Sequence, residues 1–139
     1  MMNKYELLNR YKQGERDFSG VNLSGEDLRN IDLSCANLQN VNLKGVFLNK
    51  ANLSNANLSC ANLQNTNLEN TDLSNANLQL TDLQDSNLKG ANLQDSNLRF
   101  SNLRNANLKF SNLCNANLYK ANLFKADLKG ANLSNTNLS

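Results

Sequence analysis

No histidine, tryptophan or proline occurs among the 139 residues, and there are only three cysteines and six glycines. Without histidine there is no Ser–His–Asp set and no imidazole to move protons near neutral pH. The scattered glycines do not form a phosphate-cradling loop. Cys35, Cys60 and Cys114 are an odd number at irregular spacing with no CxxC pair. They read as small residues at tolerant surface positions of a cytosolic protein. No apolar run approaches the roughly 20 residues that a membrane span needs. The N-terminal residues lack the apolar core of a signal peptide. The expectation is a cytoplasmic protein with no membrane partner, no enzyme activity, no cofactor and no metal.

What is present in excess is asparagine and leucine, and it is ordered. A leucine stands at every fifth position from Leu23 to Leu138 without a gap, 24 in all, and Phe18 fills the same slot one step earlier. With that leucine as position i, position i−1 is Asn or Asp in every pentad except the one with Phe47. Position i−2 is mostly small, as in Ala36, Ala51, Ala56, Thr66, Ser86 and Thr136. Positions i+1 and i+2 are free and mostly polar. Polar bias of this kind would otherwise suggest disorder, but strict periodicity argues against it.

A period of five excludes the two regular backbones. A helix turns about 100° per residue, so leucines five apart would scatter around it. A strand changes face at each residue, so they would alternate sides. A solenoid buries all of them if each pentad is one side of a coil and each pentad boundary a corner. Asn, Asp, Gly and Ser are the turn formers such corners want. The scarcity of aromatic and β-branched residues in the central slots fits a narrow bore.

The run ANLSNANLSCANLQNTNLENTDLSNANL over 51–78 resembles the pentapeptide-repeat family, whose signature is A(D/N)Lxx. The resemblance extends over 16–139. It implies an all-β solenoid, a right-handed quadrilateral β-helix with four pentads per coil and about six coils. At about 4.8 Å per coil the rod would be roughly 30 Å long. The leading segment ELLNRYKQGERDFSG also looks like that of cyanobacterial members.

Residues 1–15 read as an N-terminal capping helix and 16–139 as the β-helix. Asn3 is placed to cap the helix, with Glu6 as capping-box partner. Leu7, Leu8 and Tyr11 form one apolar stripe, and Gly14 is a natural stop. The open mouth of a solenoid needs such a lid. Arg16 and Glu26 occupy inward i−2 slots of the first coil. The expectation is that they pair with each other, or bond helix carbonyls, at that mouth. The column from Val21 through Ile31 and Val41 to Val46 is bulkier than the later serines, so the N-terminal half should pack better. Asp72 and Asp82 stand in the slot usually held by Asn, read as a corner slot.

The surface signals lie in the C-terminal half. Residues 86–139 hold seven basic against two acidic residues, a net +5, whereas 1–85 hold seven basic against ten acidic, a net −3. Wrapping four pentads to a coil stacks Lys89, Lys109 and Lys129 into a ridge. The same half turns Leu80, Phe100, Phe110, Tyr119 and Phe124 outward, with Cys60, Leu80 and Phe100 in one column. An outward apolar column on a small rod suggests a contact surface for an unknown protein partner. The sequence stops inside its last pentad with no cap, an edge liability. Two rods meeting in an end-to-end homodimer through that uncapped coil would cover it, as would a continuation of the chain.

No side-chain set supports catalysis. A weak nucleic-acid binder using the lysine ridge would need more convergent charge than one half-side supplies. The family resemblance brings with it DNA mimicry toward gyrase, which needs a strongly anionic rod, and a net charge of +2 disfavours it. A protein-interaction module or scaffold with flat sides, possible as a regulatory device, fits best.

Overall fold

Asparagine and aspartate at i−1 set the geometry, because each supplies the one hydrogen bond that the backbone cannot make for itself. The computed structural model describes residues 1–139. Its repeat region is a stack of isolated parallel bridges, each joining residue n to residue n+20, from Asp17↔Asn37 to Asn117↔Asn137. One turn of the chain is therefore 20 residues, or four pentads. The bridging residue is always the i−1 residue of its pentad.

The pentad 56–60 accounts for all five of its amides. Ala56 donates to the Leu53 carbonyl (3.1 Å), which closes the preceding turn. Asn57 donates to Ala36 (3.0 Å) in the coil before, and Leu58 donates to Asn77 (2.7 Å) in the coil after. Cys60 donates to Gln79 (2.9 Å). The fifth amide, Ser59, points along the turn and finds the Asn57 side-chain Oδ1 at 3.1 Å. An Asx turn of this kind is what Asn and Asp offer, and Ser and Thr offer it only more weakly.

The turn falls at i+1 and i+2. Residue i+2 adopts positive φ in every pentad from Gly20 to Asn135, close to 60° at non-glycine positions. The corner is therefore at i+1 and i+2. Asp72 and Asp82, placed by the sequence in a corner slot, instead sit on the flat side at the bridge and cap the corner that follows through Ser74 and Gln84. The pattern alone could not separate the residue that turns from the residue that holds the turn.

The leucine column is fully buried from Leu23 to Leu118, with Phe18 at its head, and the i−2 column from Ile31 to Ala116 lies beside it. Burying each leucine contributes about 2 kcal/mol. The buried hydroxyls are satisfied within the pentad walls, except that of Thr71, which donates to the Leu48 carbonyl of the preceding coil (2.8 Å). Thr66, Thr81, Ser86, Ser96, Ser101 and Ser111 each donate to the leucine carbonyl three residues earlier. Exposure rises in the last coil, where Leu133 and Leu138 reach solvent.

One helix, α1 (Lys4–Lys12), precedes the coils, and the Asn3 side chain accepts from the Glu6 amide. The Glu6 side chain does not return the bond; it faces Arg10 at 3.7 Å. Leu7 is fully buried and joins the same apolar cluster as the leucine column, with Met2. The Met2 amide donates to the Asn22 carbonyl (3.0 Å), and the Tyr11 hydroxyl to the Ser34 carbonyl (2.9 Å). No helix is long and apolar enough to cross a membrane.

Arg16 and Glu26 do not pair with each other, but Arg16 takes the other expected course and bonds a helix carbonyl, that of Tyr11. Arg16 is exposed, stacks on the Tyr11 ring at 3.7 Å, and donates to the carbonyls of Tyr11 (2.8 Å) and Glu15 (2.9 Å). Glu26 is half-buried and accepts from the Lys4 amide at 3.3 Å. Each charge goes to the end of α1 whose partial charge it complements, Arg16 to the carbonyl end and Glu26 to the amide end. The helix separates two groups that an empty mouth would have brought together.

Candidate interaction surface

The residues expected to form a contact surface are distributed by register over three corners. Leu80 and Phe100 follow Cys60 in one i+2 column, all three at φ near 60°. Tyr119 lies beside this column, and its ring meets Phe100 edge-on with centroids 5.8 Å apart. Phe124 stands on the next corner. Phe110 shares a third corner with Lys89, Lys109 and Lys129. Its ring lies over Gly130, where an added Cβ would come within 2.5 Å of it. Leu80 is 54% exposed, Phe110 59% and Phe124 56%.

The left-handed region costs a branched or bulky residue about 1 kcal/mol or more relative to Gly or Asn. Leu80, Phe100 and Phe110 occupy it while facing water. Asn or Gly fills most of the equivalent corners at less cost. Nothing in the coil's own packing requires an aromatic ring there.

The lysine ridge is less cationic than its sequence suggests. Lys109 lies 3.2 Å from Asp127, and Lys89 lies 4.0 Å from Glu69. The Asp127 carboxyl is held below its usual range, first by the Lys129 amide and then by Lys109. Lys129 in the ridge has no carboxylate within 4.0 Å, and four more C-terminal cations without one lie on the other two corners. Arg99 lies 5.6 Å from the centroids of both Phe100 and Tyr119, and Lys120 is 5.2 Å from Tyr119. Arg104 and Lys125 lie 5.3 and 5.5 Å from the Phe124 ring. Each cation rests on an aromatic quadrupole. Sequence reasoning counted these four in the basic half without joining them to the rings. Two signals were available: the 20-residue register puts Arg99 and Arg104 over the rings of Tyr119 and Phe124, and Lys120 and Lys125 directly follow those rings in sequence.

Pentapeptide repeats match in eight copies, over residues 17–49, 36–75, 61–99 and 101–139. The chain belongs to the pentapeptide repeat family. Its fold is that of the family, a right-handed quadrilateral β-helix. This pentapeptide repeat protein is similar to a trypsin-treated variant of QnrB1, a plasmid-mediated fluoroquinolone resistance protein, with TM-score 0.65 and 19% identity over 88% of this chain and 70% of that one. Full-length QnrB1 gives TM-score 0.54 and 16% identity over 86% and 84%. Rfr23, a pentapeptide repeat protein from the cyanobacterium Cyanothece 51142, is 32% identical over 95% of this chain and 97% of its own, with TM-score 0.34. No curated protein matches the sequence.

The site shared by these features is a surface, with no catalytic or metal-binding constellation among the residues that form it. Asn102 and Asn122, on the flat side between the Phe100 and Phe124 corners, add amide groups. The Asn102 amide donates to Asp82 Oδ1 at 3.1 Å, and Asn122 Oδ1 accepts from the Phe124 amide at 3.0 Å.

Proposed function

We propose that this pentapeptide repeat protein is a non-enzymatic interaction module, a rigid scaffold that holds side chains at fixed spacing for a protein partner and serves a regulatory role. The observation that carries the reading is the set of bulky apolar residues, Leu80, Phe100 and Phe110, exposed at left-handed corners where Asn or Gly would be more stable. Residues kept in a costly conformation while wetted point to selection for contact. A preformed rod loses little conformational freedom on binding. The finer architecture belongs to the same reading: about six coils, with residues 1–15 as a lid whose Leu7 seals the first of them. The three free cysteines are in keeping with a reducing compartment, and the reading places the protein in the cytoplasm.

The test is affinity capture with the Phe100→Ser, Phe110→Ser and Tyr119→Ser triple variant, its fold checked by circular dichroism. Loss of a bound protein that the wild type retains is the expected outcome. Undiminished capture of the same protein by the folded variant would remove the reading. Self-association is one form of it. The 1–139 chain taken alone leaves Leu133 and Leu138 exposed, and an end-to-end homodimer would cover them. Leu133→Lys with Leu138→Lys should hold that chain monomeric in sedimentation.

A further inference from the structure

Four of the five C-terminal cations without a carboxylate partner, all but Lys129, frame one flat side of that half. Arg99, Phe100, Tyr119 and Lys120 form the corner that precedes the side of Leu103 and Leu123. Arg104, Phe124 and Lys125 form the corner that follows it. None of the four cations has a carboxylate within 4.0 Å, whereas Lys89 and Lys109 on the next corner do. Asp85, the nearest acid up the same column, is bonded first by Asn105 (2.9 Å) and then by Gln84, with Arg104 only a weaker attraction.

We propose that an acidic segment of a protein partner lies across this side, its carboxylates taken by Arg99, Arg104, Lys120 and Lys125. The inference rests on the interaction-module reading and adds the partner's chemistry and the side that receives it. Charge complementarity is the first argument: the surplus positive charge is concentrated here and unneutralised. Preorganisation is the second. A long cationic side chain loses rotamer freedom when it binds, and resting on a ring reduces that loss. Between the corners the Asn102 side chain is already committed to Asp82, Gln84 and the Arg104 amide, and Asn122, whose Oδ1 accepts from the Phe124 amide, keeps its side-chain N–H groups for the segment's backbone.

A single-stranded nucleic acid is the competing occupant, since basic and aromatic residues together also bind bases. The geometry favours the acidic peptide. Base stacking needs an open ring face, and every ring in this cluster already has one or two cations beside it. Phe100 and Tyr119 also meet edge to face, which offers no parallel platform.

The test uses fluorescein-labelled short poly-L-glutamate and, in parallel, short oligothymidylate, with anisotropy read over a range of salt. One variant carries Arg99→Gln, Arg104→Gln, Lys120→Gln and Lys125→Gln. A control carries Lys50→Gln, Lys89→Gln, Lys109→Gln and Lys129→Gln, so that both lose the same charge. Poly-glutamate should bind the wild type and the control alike and the first variant about tenfold more weakly or worse. Equal weakening in both variants would reduce the effect to net charge and overturn the proposal. So would no binding of poly-glutamate to the wild type, or tighter binding of oligothymidylate than of poly-glutamate. Should the captured partner survive the four-cation variant but be lost with the aromatic triple variant, the interaction-module reading stands and the acidic-partner inference falls.

Discussion

The amide of Asn49 is the exception that explains the i−1 rule. Every other i+1 amide from Ser19 to Ser139 donates to the side chain of its own i−1 residue, as Ser54 does to Asn52 (3.0 Å) and Lys89 to Asn87 (3.2 Å). At 49 that acceptor is missing because Phe47 stands in the slot, and Asn49 Oδ1 is itself buried without a partner. Phe47 is half-exposed, so its ring gains little from burial. Phe47→Asn should therefore stabilise the protein by about 1 kcal/mol by restoring one hydrogen bond, read as a higher urea midpoint. The converse substitution, Asn77→Ala, removes the acceptor for Gln79 and two ladder bonds, to Asn57 at 3.3 Å and from Asn97 at 3.2 Å. It should cost about 1–3 kcal/mol. The presence of Asn at i−1 was legible as pattern. Its role was not, because an Asx turn is recognised only once the left-handed residue three positions on is known.

At the scale of the element, α1 was legible nearly residue by residue, since Asn3, the Leu7 and Tyr11 stripe and Gly14 are local signals that need no tertiary knowledge. The bond from Arg16 to a helix carbonyl was one of two expected outcomes, whereas the attachment of Glu26 to the Lys4 amide was not legible, because it depends on where the helix lies across the first coil. Their separate attachments to the two ends of α1 make a sharp expectation. In a double-mutant cycle with Arg16→Met and Glu26→Ala, the direct coupling should be small, below about 0.5 kcal/mol, measured by urea unfolding. A coupling of 1 kcal/mol or more, by that same standard, would place the two in contact. Leu7→Ala should cost about 2–5 kcal/mol, the range for a buried large-to-small change. It acts at the head of the stack, where the first coil has no earlier neighbour to support it. The same truncation at exposed Leu138 should cost far less, and the difference between the two measures how strongly α1 holds the open mouth.

Across the whole molecule, the period alone dictated the buried column, and the family resemblance supplied the four sides and the hand. The cation–aromatic corners combine contacts between sequence neighbours, as in Lys120 with Tyr119, with contacts that need the coils stacked, as in Arg99 with Tyr119, 20 residues apart in sequence and neighbours in space. The turns repeated along the stack, more than contacts between coils, fix how stability responds to pH. The carboxyls of Asp17, Asp27, Asp32, Asp85 and Asp127 are all held below their ordinary range, each mainly by hydrogen bonds it accepts. Asp27 is the extreme, lowered to about 2 by the Arg29 guanidinium and then the Arg29 amide. A carboxyl lowered on folding stabilises the native state above its unfolded value near 4, and that contribution is lost as pH falls toward the folded value. With no histidine in the sequence, no side chain has an ordinary pKa between pH 5 and 8. The thermal midpoint should therefore stay flat, within about one degree, from about pH 5.5 to 7.5. It should then fall by several degrees between about pH 4.5 and 2. Asp27→Asn should make the acid fall shallower, since it removes the most strongly lowered carboxyl while keeping an acceptor for the Arg29 amide. A midpoint that moved across the neutral range, or an acid fall unchanged in the Asp27→Asn variant, would show that these hydrogen-bonded carboxylates do not set the pH response of the stack.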